Sequence, residues 1–140
     1  MEQNFQTLGL SDALVAGLAK QDITVPTDIQ TKMIPAIMTG KDVVGRSETG
    51  SGKTLAYLLP IFQNIDPNVR GTQAIILTPT HELAAQVHRQ AELLAKNAGA
   101  NVGCALIIGT ARLQRQVERL REKPPIVVGS TGRILDLIKR

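Results

Sequence analysis

The chain is 140 residues long, one domain's length, and enough to bury about two-thirds of the surface its unfolded form exposes. Hydrophobic residues make up 43% of it, no run approaches membrane-spanning length, and the acidic, polar start Met1-Glu2-Gln3-Asn4 is unlike a signal peptide, so a soluble cytoplasmic protein is expected. The formal charge of +4 is uneven: from Ala111 to Arg140 eight basic residues stand against three acidic ones, a net +5, whereas the residues before them net −1. Such a basic end suits an acidic polymer. The aromatic residues Phe5, Tyr57 and Phe62 are too few to form a platform for stacked bases, so a nucleic acid would be held by its backbone. The lone Cys104 sits in the apolar run Val102 to Ile108 and is expected to be a buried, reduced thiol.

Leu10-Ser11-Asp12 predicts a helix running to Lys20, with Ser11 as N-cap and Leu14 and Leu18 on one face, followed by a turn through Asp22. A second helix starts in Pro26-Thr27-Asp28-Ile29-Gln30. Its apolar Ile29, Met33, Ile34, Ile37 and Met38 recur at helical spacing, Gly40 marks its end, and Pro35 is expected to kink or restart it. Thr27 to Gln30 reads as a capping box, the two side chains and backbone amides satisfying each other. The alternative for Gln30 is that its amide, one donor and one acceptor, pairs with the N6/N7 edge of adenine. These residues alone leave both readings open.

Val43-Val44 predicts a short buried strand and Leu55 to Leu59 a helix, so Ser47-Glu48-Thr49-Gly50-Ser51-Gly52-Lys53-Thr54 joins strand to helix. A glycine-rich turn ending in Lys-Thr is suited to a nucleotide's phosphates. The amides of Gly50, Gly52 and Lys53 would converge on the β-phosphate at a helix N-terminus, Lys53 would reach the β- and γ-phosphates, and the Thr54 hydroxyl would complete the shell of a Mg²⁺. Ser47 stands where the strict pattern has glycine, and the plainer alternative is an ordinary Ser/Gly-rich turn.

Beyond the loop, apolar strands at Ala74 to Leu77, Val102 to Ile108 and Ile126 to Val128 alternate with helices at Glu82 to Asn97, Ala111 to Arg121 and Arg133 to Ile138. This alternation predicts an α/β fold, a mostly parallel sheet with helices on both faces, which places ligands at the carboxyl ends of the strands. The 111–121 helix has Leu113, Val117 and Leu120 on one side and Arg112, Arg115 and Arg119 on the other, the latter a solvated face or a basic stripe. His81 and His88 read as helix-surface residues, with no Cys or third histidine to make a metal site.

Several segments together resemble the DEAD-box RNA helicases, within the RecA-like P-loop ATPases. They are Phe5, Pro26 to Gln30, Ser47 to Thr54, Pro79-Thr80-His81-Glu82-Leu83-Ala84, Ile108-Gly109-Thr110 and Ser130-Thr131-Gly132-Arg133, in the family's order and approximate spacing. The resemblance implies residues 1–40 as an adenine-recognition segment and 41–140 as part of the first RecA-like domain. It implies that Gln30 and Thr27 recognise adenine and brace the phosphate loop, that Phe5 packs near the base, that Ser47, Glu48, Thr49, Gly50, Ser51 and Gly52 form the cradle, and that Lys53 and Thr54 serve ATP and Mg²⁺. RNA backbone contacts would fall to Pro79, Thr80 and His81, to Gly109, and to Ser130, Gly132 and Arg133. The family usually has arginine at His81, a second glycine at Thr110 and Thr-Pro at Ser130-Thr131.

Hydrolysis needs an acidic residue at a strand end to hold Mg²⁺ and a base to position water, and this chain contains no Asp-Glu pair. The portion is therefore expected to bind ATP and RNA without turnover. With the rest of the domain absent, unpaired sheet edges and exposed apolar surface are also expected. A basic nucleic-acid-binding module without nucleotide chemistry is the main alternative. A P-loop phosphotransferase acting on a small molecule is another, although it has no need of Pro26 to Gln30.

Overall fold

A computed structural model describes residues 4–48, 50, 52–109 and 112–138. The described chain forms two units, residues 1–65 with 96–100 and residues 66–95 with 101–140. Both contain helices that the periodicity predicts, and the second also contains three of the predicted strands.

In the first unit, α1 (Asp12–Ala19) is capped by the Ser11 hydroxyl, which accepts from the Leu14 amide at 3.3 Å. Leu14, Gly17 and Leu18 turn inward. Gly17 lies so close to the backbone at Ala98 that a Cβ would be 2.9 Å from the Ala98 nitrogen, and Lys20 Nζ donates to the Asn97 carbonyl at 3.0 Å. The next helix, α2 (Asp28–Met38), runs on through Pro35 to a left-handed Gly40, φ +84°. The missing proline N–H removes one helical bond without breaking the helix, which is pinned at its start by the capping box and inward by buried Ile34. α3 (Lys53–Asn64) packs against α2 and buries Ala56, Leu58, Leu59, Pro60 and Phe62.

The strand expected at Val43-Val44 does not form. Residues 41–48 have no regular secondary structure, and Val44 is 98% exposed. A strand exists only as a member of a ladder; two apolar residues between Lys41-Asp42 and Gly45-Arg46 find no ladder partner among the described strands.

The second unit carries a sheet of three parallel strands, β1 (Ala74–Thr78), β2 (Cys104–Ile107) and β3 (Ile126–Ser130), in the order β1-β3-β2. α4 (His81–Ala98) follows β1, α5 (Leu113–Arg121) follows β2, and α6 (Thr131–Ile138) begins directly at the end of β3, two residues earlier than the sequence pattern places it. Central β3 is buried along its whole length, as its apolar run requires. Ala105, Ile107, Val127 and Ile134 form a core against which Leu120 and Leu137 pack. β1 alternates, with Ile76 and Thr78 buried and Ile75 and Leu77 exposed. Ile75 lines an apolar cleft of 170 Å³ with Ile107, Val127, Ile134, Leu137 and Ile138, so exposed apolar surface is present as expected.

α4 is tied to β2 through His88, whose Nε2 lies 2.9 Å from the Cys104 carbonyl and 3.2 Å from the Glu92 carboxylate. Both neighbours are acceptors, so Nε2 is the protonated nitrogen. Beside it, burial pushes the Cys104 thiol up to about 12, the Glu92 charge adding to the effect and Arg119 opposing it. A folded-state value above the ordinary 9.0 means that the thiol's contribution to stability is complete below about pH 9 and is lost as pH rises toward 12. At pH 8 an aromatic disulfide reagent should leave the native chain unlabelled and label the urea-unfolded chain at once. Equal labelling rates would contradict the burial.

Candidate nucleotide and nucleic-acid sites

The glycine-rich segment expected to hold phosphates lies in the first unit and leads into α3. Gly50 and Gly52 both take left-handed backbone conformations, φ +82° and +88°, which glycine adopts without the penalty a Cβ imposes. Gly52 is the residue that opens α3, so the first amides of that helix, beginning at Lys53, have no intrahelical acceptor. The helix macrodipole places partial positive charge at the same point. Lys53 is exposed, and its ammonium donates to the Ser47 carbonyl at 2.7 Å, arching back across the loop. Thr54 shares a side-chain hydrogen bond with Tyr57, whose phenol is held above its ordinary value by burial, the Thr54 bond opposing. Ser47 is half-buried and Glu48 exposed; Thr49 and Ser51 lie outside the described residues.

Gln30 joins this loop to α2. It is 2% exposed, and its amide is used at both ends: Oε1 accepts from the Thr27 amide at 2.9 Å, and Nε2 donates to the Gly52 carbonyl at 3.2 Å. The Thr27 hydroxyl accepts in turn from the Gln30 amide at 3.4 Å, completing the capping box. The structure thus brings Thr27, Gln30 and Gly52 together, and a Cβ on Gly52 would sit 2.4 Å from Gln30 Nε2. Phe5 is 1% exposed, its ring enclosed within the unit.

In the second unit, parallel register aligns the carboxyl ends of all three strands, with Thr78 opposite Ser130 and Leu77 and Ile107 both opposite Gly129. The polar segments after these strands therefore gather at one edge of the sheet. Pro79 and Thr80 are exposed. The Thr80 hydroxyl accepts from the Leu83 amide at 3.1 Å, a local role at the start of α4. The His81 ring stands beside Gly109, where a Cβ would lie 3.4 Å from its Nε2. Ser130 is buried at the end of β3, whereas Gly132 is open to solvent at the start of α6. Arg133 Nη2 donates to the Gly109 carbonyl at 3.1 Å.

One residue at this edge is absent from the sequence reading. Gln116, on α5, is 3% exposed and donates from Nε2 to the Ile108 carbonyl at 2.6 Å. Its spacing gives the missed signal: three residues after Leu113 and four before Leu120, it is a polar residue on an apolar stripe. On the opposite side, Arg112 and Arg115 are exposed, and Arg119 pairs with Glu122, so that side is in part a solvated, ion-paired face.

Among the described residues no group of three or more His, Cys, Asp or Glu side chains is placed to hold a metal, and no helix is long and apolar enough to cross a membrane.

The family described as DEAD/DEAH box helicase matches residues 27–140. The chain is 47% identical to the DEAD-box ATP-dependent RNA helicase CshC of Bacillus cereus over 113 residues, 81% of this chain and 28% of CshC. It is 41% identical to the ATP-dependent RNA helicase DeaD of Escherichia coli K12 over 140 residues, 99% of this chain and 22% of DeaD. Among solved structures, a DEAD box protein from the hyperthermophile Methanococcus jannaschii superposes with a TM-score of 0.90 at 40% identity, over 98% of this chain and 37% of that one. Mss116p bound to ssRNA and AMP-PNP gives a TM-score of 0.92 at 25% identity, over 100% of this chain and 30% of that one. The chain thus spans less than two-fifths of the length of each of these relatives.

Proposed function

Because the chain belongs to the DEAD/DEAH box helicase family, we propose that it is the ATP-binding and RNA-backbone-contacting portion of an ATP-dependent RNA helicase. The observation that carries this reading is the loop at Gly50 to Lys53, where two left-handed glycines deliver unpaired helix amides and one ammonium to the same place. That donor set is chemically fitted to a polyphosphate. It offers amide N–H groups and a lysine, and the space beside Gly50 is open.

In this reading the amides of Gly50, Gly52 and Lys53 bind phosphate oxygens and Lys53 Nζ exchanges the Ser47 carbonyl for the β- and γ-phosphates. Ser47, Glu48, Thr49 and Ser51 complete the loop. Thr54 is the residue whose hydroxyl would hold a Mg²⁺ brought with the nucleotide, and that ion would offset phosphate charge. Gln30 and Thr27 brace the loop through the Gly52 carbonyl and read adenine, with Phe5 packed near the base. The exposed Pro79, Thr80 and Gly132, together with half-buried His81 and with Gly109, Ser130 and Arg133, hold the RNA backbone by contacts that carry no base information. His81 lacks arginine's five-donor fork, so that segment grips a phosphate less firmly. A reducing, cytoplasmic setting suits the buried free thiol of Cys104.

Without an Asp-Glu pair the chain has no acidic pair to hold Mg²⁺ and organise attacking water, so nucleotide binding without turnover is expected. Titration with ATP and GTP in the presence of Mg²⁺ tests the reading. Saturable ATP binding, with GTP at least about tenfold weaker, is expected because guanine presents the opposite donor and acceptor pattern to Gln30. Salt-sensitive RNA binding with no response to either nucleotide would favour a nucleic-acid module instead.

A further inference from the structure

Gln116 is a buried polar side chain that the functional reading leaves without a role. Burying an amide is costly unless its polar atoms find partners, and the two ends of Gln116 meet two different strand-end segments. Nε2 donates to the Ile108 carbonyl at 2.6 Å, and Oε1 accepts from Arg133 Nη1 at 3.5 Å. Arg133 Nη2 reaches the Gly109 carbonyl, next to the carbonyl that Gln116 holds, at 3.1 Å. The three contacts close a ring that joins α5, the Ile108-Gly109 turn and the first turn of α6.

We infer that Gln116 is a positioning residue for RNA: it fixes the Arg133 guanidinium in the arrangement that meets a phosphate, without touching RNA itself. The inference rests on the reading of Gly109 and Arg133 as RNA-backbone contacts. An arginine side chain left loose must surrender its rotamer freedom when a phosphate arrives, which weakens binding; one already held gives up less. A guanidinium has five N–H donors, and the Gln116 and Gly109 oxygens engage only two of them. Gln116 also has the right chemistry to hold both partners at once, since an amide donates to a carbonyl from its nitrogen and accepts from a guanidinium at its oxygen.

The test uses the 140-residue chain, a fluorescently labelled single-stranded oligouridine at low salt, and the variants Gln116→Met, Arg133→Ala and the two combined. Methionine keeps the volume and removes both hydrogen bonds. Arg133→Ala should raise the Kd about tenfold and Gln116→Met about fivefold, and the combined variant should bind no more weakly than Arg133→Ala alone. If Arg133→Ala weakens binding and Gln116→Met does not, or if the two effects add, Gln116 does not act through Arg133 and the inference fails while the RNA contacts stand. If Arg133→Ala binds as the parent chain does, the RNA-backbone reading fails and the inference fails with it. Should Gln116→Met not fold, the unaltered chain decides by NMR. Separate, slowly rotating Arg133 guanidinium resonances that shift on adding RNA support the inference; one averaged, unshifted signal overturns it.

Discussion

Lys53→Ala should raise the Kd for ATP roughly ten- to hundredfold, the equivalent of about 1.5–3 kcal/mol for a hydrogen bond to a charged group. The ammonium is exposed and makes one contact, to the Ser47 carbonyl, so its removal takes little from the fold. The melting midpoint should therefore stay close to that of the parent chain, since substitutions at such surface positions stay within about 0.5 kcal/mol. Isothermal titration against ATP and Mg²⁺, with circular dichroism melting of the same sample, separates the two quantities. Unchanged affinity would remove Lys53 from the phosphate site and reduce the glycines around it to an ordinary turn.

Gly52→Val should do more, because it damages the loop in three ways. The left-handed φ of +88° is unfavourable for a β-branched residue, by about 1–2 kcal/mol or more. The new Cβ would stand 2.4 Å from Gln30 Nε2 and 3.1 Å from the Thr27 hydroxyl, so the side chain that braces the loop has to leave. The capping box that starts α2 then goes with it, worth about 1 kcal/mol. A destabilisation of about 2–4 kcal/mol and complete loss of measurable ATP binding are expected. Urea denaturation and the same nucleotide titration are the measurements. A Gly52→Val chain with parental stability would mean that the packing of Gln30 against the loop is not present in solution.

Local sequence carried the elements whose stability is local. The N-caps at Ser11 and Thr27 and the turns at Gly40 and Gly52 are set by residue types within four positions of each other, and all are where the pattern puts them. The three strands were equally legible, because unbroken apolar runs such as Ile126 to Val128 fit only a sheet covered on both faces. Val43-Val44 was misread because hydrophobicity says that a residue prefers burial, and nothing in two letters says whether a neighbouring ladder exists to bury it. Gln116 was passed over for the opposite reason: three apolar residues defined the helix face, and the polar one between them was averaged away. Only the positions of Ile108 and Arg133, distant in sequence, give it a purpose. For Gln30 the capping box is formed and the loop contact is formed as well, so the amide holds a helix start and a phosphate loop at the same time.

That double engagement makes Gln30 a rivet between two segments far apart in sequence. A carboxamide has two N–H donors and two acceptor sites on its oxygen, and the Gly52 carbonyl and the Thr27 N–H occupy one of each, so a second donor and a second acceptor site stay in reserve. A substitution that removes this side chain would therefore loosen the first turn of α2 and its hold on the loop in a single step.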